Sequence, residues 1–238
     1  MSTIVLLSGG LDSTVLLAAS VNAGDDPIAL TIDYGQKSRT EIRCAANVTR
    51  ALSVPHRTIG IMGPVFGPDP HPLLASTPTA FPITAAEADL PGRNALLVVM
   101  AAAHLGSGGG TILIGSTNAD GFPDSTPESF RLLSKALSTP ERPVSVRAPL
   151  CEFATREEIA DYGQSISAPL QLTSSCWDWD SRRCGGCGSC VDRTQALSGL
   201  VGYSASTPNG MSRSQRCRQG LEHLALKARA KLSYFGKR

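Results

Sequence analysis

The 238-residue sequence has no run of about 20 apolar residues, the length a helix needs to cross a bilayer, so no membrane-spanning helix is expected. Its opening Met1-Ser2-Thr3 carries no basic group ahead of the apolar run that follows, which argues against a secretory signal and predicts a cytoplasmic protein. Charge is modest: 18% charged residues and a net +2, beside 42% hydrophobic residues, describe an ordinary soluble globular domain. Two common phosphate-binding signatures are missing, since no Lys-Ser or Lys-Thr follows a GxxxxG and no GxGxxG occurs. The seven cysteines are an odd number, which argues against a disulfide framework in a cytoplasmic chain.

What is present begins with Ser8-Gly9-Gly10-Leu11-Asp12-Ser13. An apolar, β-branched run, Thr3 to Leu7, precedes it and reads as a buried strand; Thr14 to Ala19 follows and reads as the first turns of a helix. A glycine-rich turn from strand to helix N-terminus offers unpaired N–H groups backed by the positive end of the helix dipole, which makes it an anion site. Gly9 and Gly10 allow close approach of the backbone, and Ser8 and Ser13 add hydroxyl donors. The Asp12 carboxylate beside a bound phosphate fits a Mg²⁺ ion between them. The pattern resembles the SGG-x-DS loop of the PP-loop ATP pyrophosphatases, which bind the pyrophosphate of ATP and leave its α-phosphorus open to attack.

Strand-like runs alternate with helical stretches. Ile28–Ile32, Arg57–Ile61, Thr111–Ile114 and Val144–Val146 read as further strands, and Arg39–Leu52 has helical spacing. Alternation predicts a Rossmann-like α/β fold, a parallel sheet with helices on both faces. Ligands of such sheets sit beyond the strands' carboxyl ends. The Ser8 loop, Asp33-Tyr34-Gly35-Gln36 and Gly115-Ser116-Thr117-Asn118 are expected to converge there. Thr126-Pro127 and the capping-box pattern Thr155-Arg156-Glu157-Glu158 mark two helix starts.

Residues 63–91, with Pro64, Pro68, Pro70, Pro72, Pro78, Pro82 and Pro91, form an insertion that cannot be one helix and reads as a mobile cover over the crevice, with a passive insertion as the alternative. A nucleotide-binding domain over 1–172 and a C-terminal segment over 173–238 are expected. That segment ends in Arg213, Arg216, Arg218, Lys227, Arg229, Lys231, Lys237 and Arg238 against the lone acid Glu222. With no aromatic or base-reading pattern beside it, this tail reads as a solvated helix face rather than a nucleic-acid site.

Cys176, Cys184, Cys187 and Cys190 follow C-x7-C-x2-C-x2-C, with glycines among the last three, a spacing that can wrap thiolates around one ion. Structural Zn²⁺ is the preferred reading and an iron–sulfur cluster its rival. Cys44, Cys151 and Cys217 are expected to be buried thiols.

A PP-loop followed by a four-cysteine site resembles the QueC family, the 7-cyano-7-deazaguanine synthases. The likeness runs through Ser8–Ser13, then Asp33-Tyr34-Gly35-Gln36 with Glu41, Pro91-Gly92-Arg93-Asn94, and Gly121-Phe122-Pro123-Asp124, and on to Ser175-Cys176, Cys184-Gly185, Cys187, Cys190 and Arg193. It implies an adenine-nucleotide hydrolase-like sheet, Zn²⁺, ATP, Mg²⁺ and a homodimer that acts on a small deazapurine carboxylate and ammonia. Leu7, Ser8, Gly9, Gly10, Leu11, Asp12, Ser13 and Thr14, with Tyr34 and Gln36, would bind the nucleotide. Arg93, Asn94, Asp120 and Asp124 would bind the base, and Asp12, Arg93 and Lys37 would serve catalysis. The implied reaction activates a carboxylate as an acyl adenylate, forms an amide with ammonia, and dehydrates that amide to a nitrile with a second ATP.

The chain departs from the family pattern at Ser125, where a cysteine is usual, at Thr126, where an arginine is usual, and at Arg156, where a lysine is usual. The base pocket is therefore the altered part, and with the basic tail and the cysteines it leaves two alternatives open, the first drawn from the pocket and the second from the tail and cysteines. One is a QueC-like ligase that stops at the amide or joins another amine. The other, of a different class, is a PP-loop RNA-thiolating enzyme.

Overall fold

The computed structural model describes residues 2–63, 65–67, 69–75, 87–117, 121–177 and 187–201. Five strands form one sheet: β1 (Ser2–Leu6), β2 (Pro27–Asp33), β3 (His56–Gly60), β4 (Gly110–Ile114) and β5 (Val144–Arg147). Their order is β3-β2-β1-β4-β5 and every pairing is parallel. The helices are α1 (Leu11–Asn22), α2 (Arg39–Leu52), α3 (Arg93–Ala103), α4 (Pro127–Leu137), α5 (Arg156–Ser165) and α6 (Gly188–Leu197). Among the described residues no helix is long and apolar enough to cross a membrane.

From Ile4 onward the central strand β1 is apolar because it is covered on both faces. Val5 and Leu7 turn toward one buried cluster with Val15, Leu16 and Ile159; Ile4 and Leu6 turn toward another with Val98, Ile112 and Phe130. Phe130 is the one buried residue of α4, so burial of a single ring, roughly 2–3 kcal/mol, carries much of that helix's docking. Helix α1 is buried almost all round and ends in a Schellman motif: Gly24, at φ +82°, follows the cap, with Gly24 N donating to Val21 O at 3.0 Å and Asp25 N to Ser20 O at 3.1 Å. It begins at Leu11, ahead of Thr14, with Gly10 as a cap that lacks a side-chain hydrogen bond.

Both sequence-marked helix starts form. The Thr126 hydroxyl accepts from Ser129 N at 3.1 Å and that of Thr155 from Glu158 N at 3.2 Å. The Glu158 carboxylate closes its half of the box on Ala154 N, at 3.2 Å, instead of on the cap residue.

The chain runs β1, β2, β3 to one edge, then crosses back to place β4 on the other side of β1. That reversal beside β1 is a topological switch point, and the loop after β1 opens into it. Ala196, Leu197 and Leu200 join the cluster beneath α1, so the cysteine-bearing segment packs into the same core as the sheet.

Candidate active site

The loop from Ser8 to Ser13 is knitted by its own hydroxyls. Ser13 Oγ accepts from Ser8 N at 3.3 Å and lies 3.0 Å from Ser8 Oγ, which accepts from Gly10 N at 3.1 Å. The serines thus shape the turn, while the first-turn amides of α1 have no intrahelical partner by geometry. Gly9, at φ +87°, is required by its neighbours: a Cβ there would stand 2.2 Å from Glu41 O and 2.7 Å from Ala45 N. What forbids a side chain at Gly9 is therefore helix α2. Gly115 matters in the same way, since a Cβ on it would meet Ser13 Cα and N at 2.9 Å, so the end of β4 lies directly against the loop.

A cavity of about 250 Å³ opens at the switch point. Leu7, Ser8, Gly10, Leu11, Asp12 and Ser13 line it from the loop, joined by Tyr34, Gln36, Arg93 and Asn94, and by Gly115 and Ser116 after β4. The three loops expected to converge do so.

Other expected residues lie off the cavity wall. Gly9 and Thr14 sit behind the loop, and Lys37 is buried with its backbone N donating to Leu73 O at 2.8 Å. The preceding turn is closed by Gln36, whose amide accepts from Tyr34 N at 2.9 Å and donates to Ile32 O at 3.3 Å. Asp124 also lies off the wall and accepts from Asn94 Nδ2 at 3.0 Å; the same amide donates to Ser125 Oγ at 3.1 Å. Asn118, Asp120 and, within the proline-rich insertion, residues 64, 68 and 76–86 lie outside the described residues. Of that insertion, Leu73 and Ala88 pack with Trp177, and Ala88 lines the cavity.

Arg93, the first residue of α3, sits with its guanidinium carbon 5.9 Å from the Phe122 ring centroid. Glu41, in the first turn of α2, shares the cavity wall with it. Burial pushes the Glu41 carboxyl up to about 8, Arg93 opposing and the neighbouring Cys187 adding to the rise. Burial also raises the Tyr34 phenol, against the pull of Arg93.

Sequence reasoning gave no role to Glu41, Arg156, Trp177, Ser175 or Ser189, all of which line the cavity. Arg156 places Nε 3.6 Å from Asp12 Oδ2 and Nη1 2.7 Å from Asp192 Oδ2. Trp177 and Ser175 flank the candidate ligand Cys176; Ser175 also falls within the Ser175-Cys176 block of the family likeness, whereas adjacency is the one sequence signal for Trp177.

The sulfur atoms of Cys176, Cys187 and Cys190 lie within 4.8 Å of one another and all three residues are buried. Three converging thiols with no disulfide suit a thiophilic ion such as zinc. Cys187 is the N-cap of α6, and hydrogen bonds from Cys176 and Cys190 hold its thiol well below the ordinary cysteine range. Arg193 clamps the chain leading into the cluster, donating to Leu170 O at 3.0 Å and Thr173 Oγ1 at 2.8 Å. Cys184 and Cys217 are outside the described residues. Cys151 is buried, as expected, and donates to Ser116 O at 3.4 Å; Cys44 is half-buried.

The model of the family described as queuosine biosynthesis protein QueC matches residues 2–201. The chain is similar to the 7-cyano-7-deazaguanine synthase of Thermoplasma acidophilum, 31% identical over 210 residues, covering 82% of this chain and 86% of the relative. Enzymes of the same name from Anaeromyxobacter sp. and Methylobacillus flagellatus are 32% identical over 216 residues and 33% over 210, each covering 82% of this chain and 90% of the relative.

Proposed function

The chain belongs to the QueC family, and on that footing we propose that it converts 7-carboxy-7-deazaguanine, ATP and ammonia to 7-cyano-7-deazaguanine. The observation that carries this reading is one cavity lined both by the Ser8–Ser13 loop with Asp12 and by Arg93, Glu41 and Asn94. A carboxylate is inert toward ammonia until one of its oxygens is made a good leaving group. That oxygen attacks the α-phosphorus of ATP, pyrophosphate departs, and an acyl adenylate forms. Ammonia adds to the acyl carbon, AMP leaves with the transferred oxygen, and a proton is lost to give the amide. The amide oxygen then attacks a second ATP, pyrophosphate departs, and loss of AMP and a proton leaves the nitrile.

No protein nucleophile is needed, so the protein's task is orientation and charge stabilisation. The first-turn amides of α1 and the Ser8 loop bind the leaving pyrophosphate. Asp12, a hard oxygen donor on that wall, would hold Mg²⁺, which neutralises phosphate charge. Arg93 orients the substrate carboxylate, its guanidinium set against the Phe122 ring. Cys176, Cys187 and Cys190, with Cys184, would hold a structural zinc that fixes the wall formed by Ser175, Trp177 and Ser189.

Oxygen transfer is the test. With both carboxylate oxygens of the substrate labelled with heavy oxygen, each AMP released should carry one label. Unlabelled AMP would refute attack on the α-phosphorus.

A further inference from the structure

The ion-paired chain Asp12–Arg156–Asp192 joins the phosphate loop to the cysteine-bearing helix, and the proposed reaction gives Asp12 a role but none to Arg156 or Asp192. Arg156 is the first residue of α5, where the helix dipole disfavours a cation. Its side chain nevertheless lines the cavity and is only 22% exposed. A cation held in that position must be fixed by anions around it, and two carboxylates do so from different elements. Asp12 engages Nε at the longer distance, 3.6 Å; Asp192 of α6 engages Nη1 at 2.7 Å. The closer, firmer partner is thus the one remote from the phosphate loop. A planar guanidinium can keep one edge on Asp192 while the other turns toward a new anion, which the lysine usual in this family, as a point charge, does not do.

We propose that Asp192 is a positioning residue for nucleotide binding: it anchors Arg156 so that the guanidinium passes from Asp12 to the phosphates of ATP as Asp12 takes up the metal ion. The inference rests on the cavity being an ATP site. It assigns part of ATP affinity to the helix that carries Cys190 and Ser189, whose side chains serve the metal cluster and the cavity wall. Asp192 itself is 49% exposed, so its contribution is that of a partly screened pair.

The test is a double-mutant cycle on the full-length, zinc-loaded protein, read by calorimetry of Mg·ATP binding and by ATP-dependent AMP formation. Asp192→Asn is expected to raise the ATP Kd and KM about threefold to fivefold, the range for a partly exposed pair, with kcat changed less than about twofold. Zinc content and melting temperature should stay at wild-type values. In an Arg156→Lys background the same substitution should have no further effect. Unchanged ATP affinity in Asp192→Asn, or an equal loss in both backgrounds, would overturn the proposal. A wild-type protein that bound ATP yet made no nitrile would defeat the proposed reaction and leave this inference standing, whereas one that bound no ATP would defeat both.

Discussion

The backbone N–H of Ser174 donates a 3.0 Å hydrogen bond to the carbonyl of Gly9, tying the strand of chain that enters the cysteine cluster to the centre of the phosphate loop. Gly10 is close to the same segment, since a Cβ on it would lie 3.7 Å from Ser174 O. The segment leading into the cysteine cluster and the Ser8–Ser13 loop are therefore joined backbone to backbone.

Loss of the metal should be felt twice. Binding energy at a site absent from the unfolded chain is folding energy. Cys187→Ser is expected to lower Tm by several degrees and to weaken ATP binding through the Ser174–Gly9 contact. Melting curves and ATP titrations of the variant check this; a metal-free variant with wild-type Tm would contradict a structural metal.

Glu41 gives a signed pH dependence. Its carboxyl is raised from 4.5 to about 8, first by burial, so the native state holds this proton where the unfolded chain has released it. Stability then falls as pH rises from about 4.5 through about 8, because ionising the group costs more in the fold than outside it. Glu41→Gln should flatten that decline. Thermal melts from acid to alkaline pH distinguish the two proteins, and superimposable pH profiles would refute the burial of a charge-averse Glu41.

Asn94 is the hub that holds Asp124 and Ser125, and it is buried. Asn94→Leu removes both donations and leaves Asp124 and Ser125 short of a donor, at a cost of about 1–3 kcal/mol. Because Asp124 sits behind the cavity wall, the larger functional effect should be on KM for the deazaguanine, with ATP binding little changed. Steady-state kinetics with each substrate varied separately measures it.

Gly115→Ala places a methyl group 2.9 Å from Ser13 Cα and N, backbone that must shift to admit it. Overpacking of this kind costs about 1–3 kcal/mol, and here the displaced atoms belong to the phosphate loop. Weaker ATP binding together with a lower Tm is expected from titration and melting; a Tm loss with unchanged ATP affinity would separate β4 from the nucleotide site.

Much of this was legible in the sequence, for reasons that differ by element. Strands β2 and β4 are short apolar runs, and burial on both faces of β1 makes Ile4 to Leu7 unambiguous, whereas the edge strand β3, His56–Gly60, is largely polar and half-exposed. The start of α1 at Leu11 was hidden because its cap is a glycine, which gives no side-chain signal. Arg93 and the Ser8 loop reach the cavity as their motifs indicate. Lys37 does not, because Gln36 closes the turn on Tyr34 and Ile32 and the chain at Lys37 pairs with Leu73. Arg156 and Trp177 were illegible as site residues since only long-range packing of α5 and the cysteine segment brings them to the loop. Thr126 shows the opposite case: it stands at a family arginine position, but its hydroxyl serves as the cap of α4.

The proposed reaction forms the nitrile by two successive activations in the cavity that joins Asp12 to Arg93. Mass spectrometry of the products from 7-carboxy-7-deazaguanine, Mg·ATP and ammonia, with AMP counted in the same samples, measures it directly. Two activations give 7-cyano-7-deazaguanine with two AMP per molecule and the amide as a transient. Amide accumulating with one AMP each, and no nitrile after long incubation, would contradict it.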